Sequence, residues 1–165
     1  MFPKTQSMKA RTLVCLLAVS ACSREVERQA PEPARVTVAE FRSLGWLEGR
    51  WRGTLNDTAA FYEEYRFRDD STIATATFAD STLARVSDSG TVRLAGGTVT
   101  TGDDASGYVL TALDSASAHF MPRGAARNAF TWRRQADGSW TARLTWRDAQ
   151  DRAMERVYVM RRLAP

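Results

Sequence analysis

Cysteine is nearly absent from this chain. Its 165 residues include two, Cys15 and Cys22, and none follows position 22. Everything beyond that point lacks a disulfide, a cysteine nucleophile and a thiolate metal site. Histidine is scarcer still. His119 stands alone, and one imidazole cannot build a multi-histidine metal centre. No Gly-x-Ser-x-Gly elbow, phosphate-binding loop or dinucleotide fingerprint occurs, so the expectation is a protein that is not an enzyme, with no metal and no cofactor. Glu63 and Glu64 are a weak case for acid–base chemistry, because neighbours on a strand face opposite sides. Long apolar runs are missing too. The longest, Leu13-Val14-Cys15-Leu16-Leu17-Ala18-Val19, is far short of the roughly 20 residues of a membrane-spanning helix.

That short run lies among the parts of a secretory signal. Basic Lys4, Lys9 and Arg11 precede it and small residues follow. The ending Val19-Ser20-Ala21-Cys22 resembles the bacterial lipobox, in which the cysteine thiol receives a diacylglyceryl group and becomes the new N-terminus. The resemblance implies a signal peptide over 1–21, with Met1 or Met8 as start, and lipidation at Cys22. It implies a membrane partner reached through that lipid. Ser23 in place of aspartate points to the outer membrane, facing the periplasm. Cleavage would remove both lysines and Arg11, leaving 20 arginines against all 19 acidic residues. The apparent basic character then vanishes, and with it the case for a nucleic-acid partner.

Residues 22–37 carry two prolines and no hydrophobic period, and read as a disordered tether. One domain follows, 38–165. Thr37 and Glu40 form a capping box for a short helix over 38–46, with Phe41, Leu44 and Leu47 on its apolar face. Beyond it the hydrophobic period is two: Trp140, Ala142, Leu144 and Trp146 alternate with polar residues. Strands are expected at 50–56, 60–68, 72–79, 82–88, 91–95, 98–102, 107–114, 128–135, 139–147 and 153–163, with a further short one at 117–121. Asp88-Ser89-Gly90 and Asp137-Gly138 are among the turn signals between them. About ten short strands joined by tight turns predict an all-β, antiparallel up-and-down barrel with one short N-terminal helix.

Gly49-Arg50-Trp51-Arg52-Gly53, just after the helix, resembles the Gly-x-Trp signature of the calycin superfamily of lipocalins and fatty-acid-binding proteins. With Leu44-Gly45-Trp46-Leu47 before it, the segment is similar to nitrobindin-type barrels and to a bacterial domain of unknown function that opens on WLxGxWxG. The resemblance spans about 44–163 and implies a lipocalin-like barrel. It gives Gly49, Trp51 and Gly53 a structural role, with a basic residue of the last strand, Arg161 or Arg162, packed on Trp51. The nitrobindin haem ligand is a histidine of the C-terminal strands, and none occurs in 128–165. Two functional readings remain. In one, a membrane-anchored barrel binds a small hydrophobic or amphipathic ligand in a cavity lined from among Trp51, Tyr65, Phe67, Tyr108, Phe130, Trp132 and Tyr158, with one of Glu63 and Glu64 turned inward. In the other, the barrel is filled and serves as a structural or interaction element of the cell envelope. The sequence leaves the oligomeric state open.

Overall fold

A computed structural model of the chain describes residues 30–103 and 106–163, with the backbone alone at 59 and 60. The expected signal peptide (1–21), Cys22 and the tether as far as 29 lie outside the described residues.

The described chain is a closed antiparallel barrel of ten strands behind one short helix. They are β1 (Gly49–Leu55), β2 (Thr58–Asp69), β3 (Thr72–Phe78), β4 (Val86–Ala95), β5 (Thr98–Thr101), β6 (Tyr108–Leu113), β7 (Ser117–Pro122), β8 (Asn128–Arg134), β9 (Trp140–Arg147) and β10 (Ala153–Arg162). Each strand pairs with its neighbours in sequence, and β10 closes onto β1. Closure removes the long free edges of an open sheet, which is how an all-β chain avoids edge-to-edge association.

Aspartates hold five of the connections between strands. Asp69, Asp80, Asp114, Asp137 and Asp148 each accept a hydrogen bond from the backbone N–H two residues on, at 2.8–3.0 Å. A short side chain satisfying its own turn is the reason this residue type recurs between strands.

The helical entrance is split. Thr37 and Glu40 form the capping box of α1 (Val38–Arg42), and a 3-10 turn, Ser43–Leu47, carries on from it. Phe41, Leu44 and Leu47 are fully buried against one end of the barrel and close it.

Two expectations are corrected. The separate strands at 82–88 and 91–95 are one strand, β4, and its Asp88-Ser89-Gly90 pairs in register with Thr77, Ala76 and Thr75 instead of turning. The tether does not run as far as residue 37. The N–H of Ala34 donates to the carbonyl of Leu110 (2.9 Å), that of Val36 donates to the carbonyl of Gly97 (2.9 Å), and Val36 is buried. The physical reason is a gap in the wall. β5 and β6 share only the pairs Thr100–Val109 and Thr101–Tyr108, and β6 carries a bulge between Leu110 and Ala112. Backbone groups beyond those pairs need partners, and residues 34–36 supply them.

Candidate functional site

The strand register sorts every interior residue, because residues directly opposite in neighbouring strands share a face. Trp51 stands opposite Glu63 in β2 and Arg162 in β10. All three therefore share the inner side, whereas Arg52, Arg161 and Glu64 do not.

At the closed end the barrel is packed solid. Trp51 is fully buried, and its Nε1 donates to the carbonyl of Leu47 (2.7 Å). Its ring meets Trp140 edge-on at 5.8 Å. The cation over Trp51 is Arg162, with its guanidinium carbon 4.5 Å from the ring centre. It is not Arg161, which points outward toward Asp137 at 3.9 Å.

The two glycines of the motif make room for these side chains. Gly49 has φ +131°, and a Cβ there would strike the Arg162 guanidinium. Gly53 has an ordinary strand φ, but a Cβ would lie 2.5 Å from Cζ of Phe61. The Phe61 ring therefore lies on bare backbone and stacks edge-on against Tyr158 at 5.0 Å.

Toward the open end the packing gives way to a cavity of about 280 Å³. Its aromatic wall is Tyr65, Tyr108, Phe130 and Trp132. Those rings hold one another, Tyr108 on Phe130 at 4.9 Å and Tyr65 on Trp132 at 5.8 Å. The Tyr108 hydroxyl also donates to Oδ1 of Asn128 (2.9 Å). The opposite wall is small and polar: Thr75 and Thr77 of β3, Asp88, Ser89 and Gly90 of β4, and Thr101 and Gly102 at the end of β5. The space exists because β3 to β5 present nothing bulky there.

Four of the residues expected to line a cavity do so: Tyr65, Tyr108, Phe130 and Trp132. Three do not. Trp51 is sealed in the core. Phe67 packs at the closed end against Phe41 (5.8 Å) and under Arg42 (4.4 Å). Tyr158 is taken up by Phe61 on the far side. The threonines, Asp88 and Gly90 lie outside the sequence expectation, although Thr75 and Thr77 alternate with alanines over 74–77.

Glu63 is the ionisable group at the junction of the two walls. It accepts a hydrogen bond from the Tyr65 hydroxyl (2.8 Å) and has no basic partner among the described residues. Burial pushes its carboxyl above the ordinary carboxylate range, against the weaker opposing effect of that hydrogen bond. Burial, with Glu63 beside it, also raises the Tyr65 hydroxyl well above its usual value, so at neutral pH Tyr65 is a neutral donor. Glu64, one residue on, faces outward. It accepts from Arg50 Nε (3.1 Å) and from Arg66 (3.0 Å). Partial burial would raise its carboxyl, but the two arginines together bring it below the ordinary range.

A wider groove crosses β7 to β10 on the outer face, where His119 and Met121 lie beside the 123–127 loop. His119 is therefore outside the barrel, with Nδ1 2.8 Å from Oγ1 of Thr131. Arginines of the last strands are paired on this outer surface: Arg143 with Glu155, Arg147 with Asp151 (3.2 Å) and Arg152 with Asp148 (2.7 Å). Among the described residues no group of three histidine, cysteine or acidic side chains is placed to hold a metal ion. No protein-family model and no curated protein matches the chain.

Proposed function

We propose that this protein is a lipid-anchored barrel of the bacterial cell envelope that binds a small amphipathic molecule in the open half of its interior. The observation that carries the reading is the cavity of about 280 Å³, with aromatic rings on one wall and polar groups on the other. A mostly apolar recess with a few placed polar groups is the usual form of a small-molecule site. Glu63 adds to it. An inward carboxylate without a basic partner costs stability, and such groups concentrate where a ligand uses them.

The anchor follows from the lipobox-like Val19-Ser20-Ala21-Cys22, and Ser23 favours the outer membrane. Kinship with the calycin and nitrobindin-type barrels is part of the same proposal. It is supported by the Gly49-x-Trp51-x-Gly53 segment, whose glycines accommodate Arg162 and Phe61. The chain has no catalytic assignment in this reading.

The filled-barrel reading has its own support: the closed half leaves no space around Trp51, Trp140, Phe120 and Met160, all 0–1% exposed. Native mass spectrometry of the protein isolated from its own host separates the two. A retained non-protein mass beyond the lipid, lost on denaturation, is the expected result. A bare lipidated chain that also leaves apolar fluorescent probes unchanged would favour the filled barrel.

A further inference from the structure

The two walls of the cavity are chemically unlike, and the difference specifies a ligand. On one side stand four π faces and edges, Tyr65, Tyr108, Phe130 and Trp132. On the other, every hydrogen-bonding side chain at an inward position is a hydroxyl or a carboxylate: Thr75, Thr77, Thr101, Glu63 and Asp88. Among the described residues no lysine, arginine or histidine lines the space. Arg156, at an inward register position near the mouth opposite Leu144, is engaged elsewhere. Its guanidinium donates to the Tyr158 hydroxyl (3.3 Å) and lies over Trp146 (5.8 Å).

A chain with this many arginines readily pairs its outward glutamate: Glu64 has two of them. Glu63, its neighbour, has none and relies on Tyr65. Asp88, at the rim, accepts only from the N–H of Ser89 among the bonds described (2.8 Å). Both carboxylates therefore retain accepting capacity directed at the cavity. Aromatic faces favour a cation as well.

We infer that the cavity selects a small organic amine, an ammonium group held by Glu63 with Asp88 at the rim and an apolar or aromatic body against Tyr108, Phe130 and Trp132. This inference rests on the ligand-binding reading above and names its ligand class. The volume suits a ligand of one ring or a short chain, since pockets for drug-sized ligands span roughly 300–1,000 Å³ and this space is about 280 Å³. A carboxylate ligand would meet Glu63 and Asp88 without any cation to offset them. An ammonium ligand instead supplies the charge the site lacks, and charge-assisted hydrogen bonds are roughly twice as strong as neutral ones.

The test is isothermal titration of the full chain in detergent micelles, with empty micelles as the blank. Three probes of matched size are used: 2-phenylethylamine, 2-phenylethanol and 3-phenylpropionate. The amine is expected to bind about ten- to a hundredfold tighter than the alcohol, and the carboxylate weakest. Glu63→Gln is expected to bring the amine down to the level of the alcohol, with the far-UV spectrum unchanged. Asp88→Asn should reduce the amine preference in part. Equal affinity for amine and alcohol, or a preference that survives Glu63→Gln, overturns the amine assignment and leaves the ligand-binding reading intact. Failure of all three probes overturns both. Should Glu63→Gln not fold, the preference of the unmodified chain and the Asp88→Asn result decide the matter.

Discussion

Replacing Gly53 by alanine tests whether the second glycine of the motif is there to seat a ring. Its backbone φ is one any residue adopts, so no conformational strain is involved. Inside a strand, glycine is otherwise unfavourable relative to alanine by about 0.5–1 kcal/mol, and Gly53→Ala should then stabilise. The structure predicts the opposite sign. The new Cβ would lie 2.5, 2.6 and 2.9 Å from three carbons of the Phe61 ring, where carbon contacts prefer about 3.5–4.0 Å. The ring must retreat by about 1 Å, and Tyr158 lies against it at 5.0 Å. Overpacking of this kind costs about 1–3 kcal/mol. After the backbone gain, the net loss is about 0.5–2 kcal/mol, a substantial part of the roughly 5–15 kcal/mol that holds a domain together. Urea unfolding followed by circular dichroism reads it as a lower midpoint at unchanged slope. In a Phe61→Leu background the clash is gone, so Gly53→Ala should be neutral or stabilising. The cycle should then show a coupling of about 1–3 kcal/mol. A neutral Gly53→Ala in the unmodified chain, or additive losses across the cycle, would refute the ring-seating argument.

Other outcomes follow from the same geometry. A carboxyl raised in the folded state contributes stability that is complete below its unfolded value, 4.5, and is lost as pH rises through the folded value. Glu63→Gln should therefore be more stable than the unmodified chain at pH 7, and the advantage should disappear near pH 4, as urea melts at the two pH values will show. The turn aspartates run the other way: hydrogen bonds from their own turns lower Asp69, Asp80, Asp114, Asp137 and Asp148. Their contribution is present above the unfolded value, 3.8, and fades below it, so the unmodified chain should lose stability on acidification even as the Glu63→Gln difference closes. Arg162→Ala should cost about 0.5–1 kcal/mol through the lost cation–π contact, whereas Arg161→Ala should stay within about 0.5 kcal/mol of the parent in the same melts. Cys22→Ser should abolish incorporation of labelled palmitate and release the protein from the membrane fraction. Adding haem should give no Soret band that depends on His119, since that ring lies on the outer wall.

Much of the barrel was readable from alternation alone, because a half-buried strand must place apolar residues at every second position. β9 is the clearest case, with Trp140 and Ala142 buried and Arg143 and Arg147 exposed. β4 departs from the expected pattern for a reason that bears on function. Asp88-Ser89-Gly90 has turn chemistry, yet it is mid-strand, and its inward residues face open space instead of a packed core. Where nothing must be filled, the hydrophobic signal disappears, and functional cavities are where local rules are expected to fail. The choice between Arg161 and Arg162 was beyond the sequence for a different reason. It depends on the register in which β10 meets β1, and a slip of one residue exchanges the two faces. Residues 34–36 looked like tether because polar, proline-containing sequence says nothing of a backbone vacancy 60 or more residues away.

Those three residues have a mechanical meaning. The seam they bridge is joined by two residue pairs, and one of them, Thr101 with Tyr108, is also part of the cavity wall. The N-terminal segment is thus a clasp on a sleeve, fastened at Gly97 on one side and Leu110 on the other. A load applied from the N-terminal side reaches the barrel first at this clasp, and unfastening it slackens the wall beside the cavity. The chain that runs toward the N-terminus and the wall that encloses the cavity are one load path.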